Sequence, residues 1–222
     1  SNIEQYYIFQ TRYCGCGTTL SGRLAVKEAQ RLLAVENSNV SIMPTTAMTL
    51  HSDNCHFSFS NGYEKFGTRI VKPLMHDIYG VSYQEEINAP MITGVTLSGS
   101  TQLEIATDAP SLMTNTSDQA VLLSKITSDF ALTNANNVSI TGFEIAGSNI
   151  VLTLNGDPGS EARISFYGQY KDLEDNITNT SGIELVSFGY YCISGNCNET
   201  GGGAAEDADK KSAVVFVEDG GG

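Results

Sequence analysis

In the stretch His51-Ser-Asp-Asn-Cys-His56-Phe-Ser-Phe-Ser-Asn-Gly-Tyr-Glu-Lys-Phe-Gly67, an aspartate and a histidine stand three residues apart, just ahead of an amphipathic segment. Asp53 and His56 are the residue types that together make a general base. Histidine titrates near neutrality, and a carboxylate on one ring nitrogen fixes the tautomer that leaves the other nitrogen able to take a proton. The chemistry this suits is activation of a hydroxyl nucleophile. The same spacing also arises where a surface loop merely caps the helix that follows it. His51 and His76 are read as structural, His76 because it falls on a terminal helix, where a C-terminal cation is favoured. With three histidines and no Cys-x-x-Cys pair, the chain has no zinc-site pattern.

The elements around this loop have α/β character over residues 1–80. Tyr6-Tyr-Ile-Phe-Gln10 is a short apolar run suited to a buried parallel strand, and a Gly-rich loop, Cys14-Gly-Cys-Gly17, follows it. Ser21 is placed to cap a helix over about 22–36, on which Leu24, Glu28, Ala29, Leu32 and Leu33 recur at helical spacing. Val40-Ser-Ile-Met-Pro44 reads as a second buried strand stopped by proline. After the Asp53/His56 loop, Tyr63, Phe66, Ile70, Leu74 and Ile78 define one apolar face of a helix over about 62–78.

Pro90 marks a change of style. Over residues 89–195 the text is β, with strands expected at Ile92–Leu97, Gln102–Ala106, Val138–Ile145, Ile150–Leu154, Arg163–Tyr167 and Ile183–Ile193, and no helical period. Ile150, Leu152 and Leu154 alternate, Gly147-Ser148 supplies a hairpin turn, and Gly142 marks a bulge. Strands of this length and spacing predict an antiparallel sandwich. Cys192 and Cys197 flank a tight Ile-Ser-Gly-Asn turn and suit a small disulfide loop. Residues 196–222 read as an acidic, Gly-rich tail or linker, with Ala213-Val-Val-Phe-Val217 as one β-like run.

The chain has 222 residues and a formal charge of −13, from 12 Lys and Arg against 25 Asp and Glu. Such a field repels nucleic acid and anionic membranes, so neither is expected as a partner. No run of 18 apolar residues is present, so no membrane span is expected. Abundant Ser, Thr, Asn and Gly, with sequons at Asn39, Asn115, Asn137, Asn176, Asn179 and Asn198, favour an extracellular, secreted, virion or cell-surface setting.

Asp53-x-x-His56-Phe-Ser, followed by Asn61-Gly-Tyr-x-x-Phe-Gly67 and an amphipathic helix, resembles the Asp/His block of the SGNH (GDSL-like) hydrolases. The likeness is nearest to their carbohydrate-esterase branch, which includes sialate O-acetylesterases. Ala25-x-x-Glu-Ala-Gln30-Arg-Leu-Leu resembles the helix before that block. Asn179-Thr-Ser-Gly-Ile-Glu-Leu-x-Ser-Phe188 resembles the end of the β-sandwich modules that follow such esterases. The resemblance spans roughly residues 5–80 and 89–193. It implies a partial three-layer α/β parallel sheet followed by an all-β antiparallel sandwich, with His56 as general base and Asp53 as its orienting acid.

It supplies nothing else of the catalytic set. The chain holds no Gly-Asp-Ser and no Gly-x-Asn-Asp, and its nearest string, Gly156-Asp-Pro-Gly-Ser160, has proline where serine belongs. The resemblance therefore implies a nucleophile and oxyanion donors on a missing N-terminal segment, either cleaved and still bound as a separate chain or not part of the polypeptide seen. The activity implied is deacetylation of carbohydrate, which needs neither metal nor organic cofactor. On a completed sheet, the loop after Gln10 and the Asp53/His56 loop emerge at the same edge. That placement implies a disulfide from Cys14 or Cys16 to Cys55, the alternative being three thiols. The competing reading is a non-catalytic glycan-binding or structural surface protein (a fibre, spike or surface layer). In that reading Tyr167, Tyr170, Tyr190 and Tyr191 form an exposed face on the sandwich that stacks on sugars or meets an assembly partner.

Overall fold

The computed structural model describes residues 5–12, 20–53, 55–114, 116, 118–168, 176–193 and 197. Strand β1 (Tyr6–Phe9) pairs in parallel with β2 (Val40–Met43), and α1 (Leu20–Glu36) crosses between them. Ser21 lies inside the first turn of α1 rather than capping it. A five-residue π turn, Phe59–Tyr63, leads into α2 (Glu64–Tyr79). Gly80 ends that helix in the left-handed region, at φ 69°, with its N–H bonded to the carbonyl of His76.

The rest is β-rich. The strands β3 (Ile92–Ser98), β4 (Gln102–Thr107), β7 (Ile140–Ala146) and β8 (Asn149–Leu154) form an antiparallel sheet in the order β3-β4-β8-β7. A second sheet has the order β11-β9-β6, from β6 (Phe130–Thr133), β9 (Arg163–Phe166) and β11 (Phe188–Cys192). A small pair joins β5 (Leu112–Thr114) to β10 (Ile177–Asn179). The register of β7 against β8 shifts between Ile140 and Gly142, which places the bulge at that glycine.

The period-two alternation explains the core. Ile150, Leu152 and Leu154 of β8 are buried while Thr153 points outward, and Leu103 and Ile105 of β4 do the same. Leu103, Ile105, Ile150 and Leu152, with Ile92 and Phe143, share one apolar core with Phe130, Ile164, Phe166 and Phe188 of the facing sheet. Between β5 and β6 lies a helical segment that sequence periodicity does not show. It begins as α3 (Gln119–Val121), continues as a π turn (Leu122–Ile126) and ends as a 3-10 turn (Thr127–Asp129). Three hydrogen-bonding patterns within eleven residues erase any 3.6-residue period, yet Leu122 and Ile126 are buried.

The expected partial three-layer α/β sheet is not formed. The parallel component among the described residues is β1 and β2 alone, two strands of four residues each, and every other pairing between strands is antiparallel. So narrow a pair gives two helices no common sheet face to cover, and α1 lies on β2 and against the sandwich as well. It packs on β11, with Leu24 buried close to Gly189.

Polar side chains fasten that packing. Gln10 Nε2 donates to the carbonyls of Lys27 (3.1 Å) and Ser187 (2.8 Å), while its Oε1 accepts the Ser187 N–H. Lys27, buried on α1, donates to the carbonyl of Tyr167 at 2.6 Å and to Ser187 Oγ at 3.2 Å. Glu28 Oε2 accepts the N–H of Gly189 at 2.9 Å, and Arg31 bridges Glu28 and lies over the Tyr191 ring. Beside these contacts Ile42 and Met43 of β2 join Ala89, Ile183 and Val186 in a second apolar cluster.

Candidate active site

The chain between β2 and α2 folds back on itself. Ser58 N–H donates to the carbonyl of Thr49 (2.9 Å), Leu50 and Phe57 form an antiparallel bridge, and His51 N–H donates to the carbonyl of His56 (2.7 Å). Asp53 and His56 sit at the tip of this hairpin. Thr49 N–H donates to the Asn61 carbonyl at 2.9 Å, so the π turn grips the hairpin base. Gly62 makes that contact possible, because a Cβ there would come within 2.5 Å of the Phe57 Cβ. Phe57 packs edge-on to Tyr63 and to Phe66, and Phe66 packs against Phe9 of β1.

At the tip, Asp53 Oδ1 accepts the backbone N–H groups of Cys55 (2.9 Å) and His56 (3.0 Å). Its Oδ2 lies 2.7 Å from His56 Nδ1. Nδ1 bonded to a carboxylate is the donor tautomer, which leaves Nε2 as the acceptor on the opposite edge of the ring. The His56 side chain is 71% exposed and that of Asp53 44%, so Nε2 is open to an incoming hydroxyl. The imidazole of His56, and then the two backbone N–H groups, hold the Asp53 carboxyl well below the usual carboxylate range. Asp53 is therefore ionised wherever His56 can act as a base.

His51 Nδ1 stands 4.0 Å from the same Asp53 oxygen and 3.3 Å from Ser52 Oγ, at the margin of the pair. His76 Nδ1 bonds Asp77 Oδ1 at 3.0 Å on α2. Among the described residues no serine, threonine or cysteine hydrogen-bonds His56, and no group of three or more His, Cys, Asp or Glu side chains is placed to hold a metal ion.

Cys55 is exposed beside the dyad, whereas Cys14 and Cys16 lie outside the described residues, as do Tyr170 and the tail apart from Cys197. Cys192 and Cys197 are joined by a disulfide, with Cα atoms 5.7 Å apart. Of the tyrosines expected to form an exposed sandwich face, the three among the described residues do not stand fully exposed. Tyr167, Tyr190 and Tyr191 are half-buried, and Tyr191 packs against the sandwich core under the Arg31 guanidinium. Arg31 of α1 is what covers Tyr191.

Sequence reasoning missed a buried charge pair behind the site. Arg69 of α2 grips the Glu184 carboxylate with both terminal nitrogens (Nη2 to Oε1 2.6 Å), and the two side chains are 9% and 1% exposed. The signal was present: a lone glutamate inside the apolar run Ile183-Glu-Leu-Val needs a cation wherever that run is buried.

No protein-family model matches the chain, and no curated protein matches it by sequence. Among solved structures, a carbohydrate acetylesterase from Xanthomonas citri aligns at 14% identity with a TM-score of 0.56, over 83% of this chain and 39% of that one. This likeness shows a shared fold, and the chain spans 39% of the esterase's length. The N-terminal part of the bacterial S-layer protein SbsC aligns over 78% of this chain and 38% of its own, at 14% identity and a TM-score of 0.31. Domains 1–6 of that protein align over 60% of this chain and 17% of their own, at 16% identity and 0.32. No helix among the described residues is long and apolar enough to cross a membrane.

Proposed function

We propose that this chain carries the general-base part of an SGNH-type serine esterase that removes acetyl groups from carbohydrate at the cell surface or outside the cell. The nucleophilic serine and the oxyanion donors come from a segment N-terminal to the described residues. One observation carries the reading: Asp53 Oδ2 holds His56 Nδ1 at 2.7 Å on a hairpin tip where the imidazole side chain is 71% exposed. The fold shared with a carbohydrate acetylesterase supports it.

In the reaction, His56 Nε2 takes the serine proton as the hydroxyl oxygen attacks the ester carbonyl carbon. Asp53 stabilises the imidazolium that forms. Collapse of the tetrahedral adduct breaks the bond to the sugar oxygen, which leaves with the proton returned from His56. Water, deprotonated by the same nitrogen, then attacks the acetyl-serine, and the serine oxygen leaves with that proton as acetate is released. No other described side chain is given a chemical step.

Serine-directed phosphonate labelling of the native material, followed by denaturing mass analysis, tests the assignment. A label on a serine outside the described residues, lost in His56→Gln, is the expected result. Labelling that survives His56→Gln, or native material that takes up no label, would overturn it.

A further inference from the structure

We propose that Glu184, on the sandwich and distant in sequence from the dyad, is a positioning residue for Asp53 and His56, acting through Arg69 and Lys65 of α2. The inference deepens the proposed function and rests on it for its meaning, although its test does not.

The path runs from the sandwich to α2 by an ion pair, along α2 by charge, and from α2 to the hairpin by a hydrogen bond. The Glu184 carboxylate, 1% exposed, neutralises Arg69, whose Nη2 also donates to the Gly182 carbonyl at 3.3 Å. One turn earlier on the same helix, Lys65 Nζ donates to the carbonyl of Ala47 at 3.1 Å. Ala47 and Met48 are buried, and Arg12 donates to the Met48 carbonyl from the loop after β1. Thr49, the next residue, is the hairpin base, bonded on one side to Asn61 and on the other to Ser58. The hairpin that presents the dyad is thus held from beneath by Lys65.

Lys65 and Arg69 are like charges four apart on one helix, an arrangement that is unfavourable by itself. Burial and the charge of Arg69 both lower the Lys65 pKa, and Glu184 opposes them. Without the glutamate, two half-buried cations face each other and Lys65 is driven toward water, away from Ala47. The sandwich is then part of the support of the site.

Amide exchange of His51 N–H, which closes the hairpin onto His56, reads the effect directly. It is measured beside the downfield His56 Nδ1–H resonance in the wild type, Lys65→Met, Glu184→Gln and the combined variant. Each single change is expected to speed His51 exchange by about 10-fold or more through local opening, and to weaken the Nδ1–H signal. Amides of β4 and β8 should keep their protection in Lys65→Met, and in Glu184→Gln should lose only what the fall in global stability accounts for. The combined variant should be no worse than the worse single one, because both act on one path. Unchanged His51 exchange in Glu184→Gln, or effects that multiply, would overturn the proposal.

If Glu184→Gln does not fold, Arg69→Met/Glu184→Leu serves instead. Removing both charges leaves Lys65 unopposed on Ala47, so wild-type His51 protection is expected, and loss of protection in a folded double variant would refute the path. None of these readouts involves hydrolysis. Failure of the labelling experiment with intact coupling would overturn the esterase and leave the positioning path standing.

Discussion

Lys27 gives the structure an unusual alkaline signature. Its side chain is buried where α1 meets β11, and burial pulls its pKa down from 10.5 to about 8, against the attraction of Asp129 and with help from the Arg12 charge. Below pH 8 the amine is protonated in both the folded and unfolded chains, so it contributes no slope. Between pH 8 and 10.5 the folded chain has lost the proton while the unfolded chain keeps it, and stability rises with pH. The full gain is at most about 3 kcal/mol, at 1.36 kcal/mol for each tenfold change in proton affinity.

Tyr7 sets the upper limit of the usable window. Burial, reinforced by the hydrogen bond from its hydroxyl to Asp77, pushes its pKa up to about 12. Above pH 10 the unfolded phenol ionises first, and stability falls with pH. Urea unfolding at pH 7, 8, 9 and 10 is the assay, for the wild type and for Lys27→Met, which fills the same volume without a charge. The wild type should gain about 2 kcal/mol relative to the variant between pH 8 and 10. Parallel curves for the two proteins, or a wild type that loses stability relative to Lys27→Met, would refute the burial argument.

Three further outcomes follow from the same packing. Glu184→Leu alone should destabilise by about 3–5 kcal/mol, because it strands the buried Arg69 guanidinium, whereas Arg69→Met/Glu184→Leu should lie close to the wild type in denaturant midpoint. Gly62→Ala should lower stability by about 1–3 kcal/mol, since its methyl must displace the Phe57 Cβ, and NMR shifts should change at Thr49, Phe57 and His56 but not in β8. Replacing Cys192 and Cys197 with serine should lower thermal stability by at most about 2 kcal/mol, because the closed loop is short. A calorimetric loss well above that would mean the disulfide does more than close a turn.

Much of the chain was legible from side-chain period. The alternation of Ile150, Leu152 and Leu154 follows from local pattern alone, as does the half-buried face of Phe66, Ile70 and Leu74 on α2, but Tyr63 stands in the π turn before that helix, and both it and Ile78, expected on the same face, are exposed. The nearness of Asp53 to His56 was also readable, because three residues in one loop cannot separate far. The sheet architecture was not. Two short apolar runs joined by a helix predict a parallel pair, but nothing in them says how many strands lie beside it, or that α1 also packs against β11. The long apolar text of 183–193 read as one strand, yet it divides into an isolated bridge at Glu184 and the strand Phe188–Cys192, with Tyr190 at φ 56° and a register shift against β9. Tertiary partners decided these features: Gln10, Lys27 and Arg69 each find their counterpart more than 100 residues away.

Acetate release from an acetylated sugar by the native protein, wild type against His56→Gln and Asp53→Asn, tests the general-base assignment most directly. Loss of the base is expected to slow release by about 100- to 10,000-fold, with Asp53→Asn also impaired because it no longer fixes the Nδ1–H tautomer. Equal rates in wild type and His56→Gln would contradict the assignment and leave the Asp53–His56 bond a feature of hairpin structure alone.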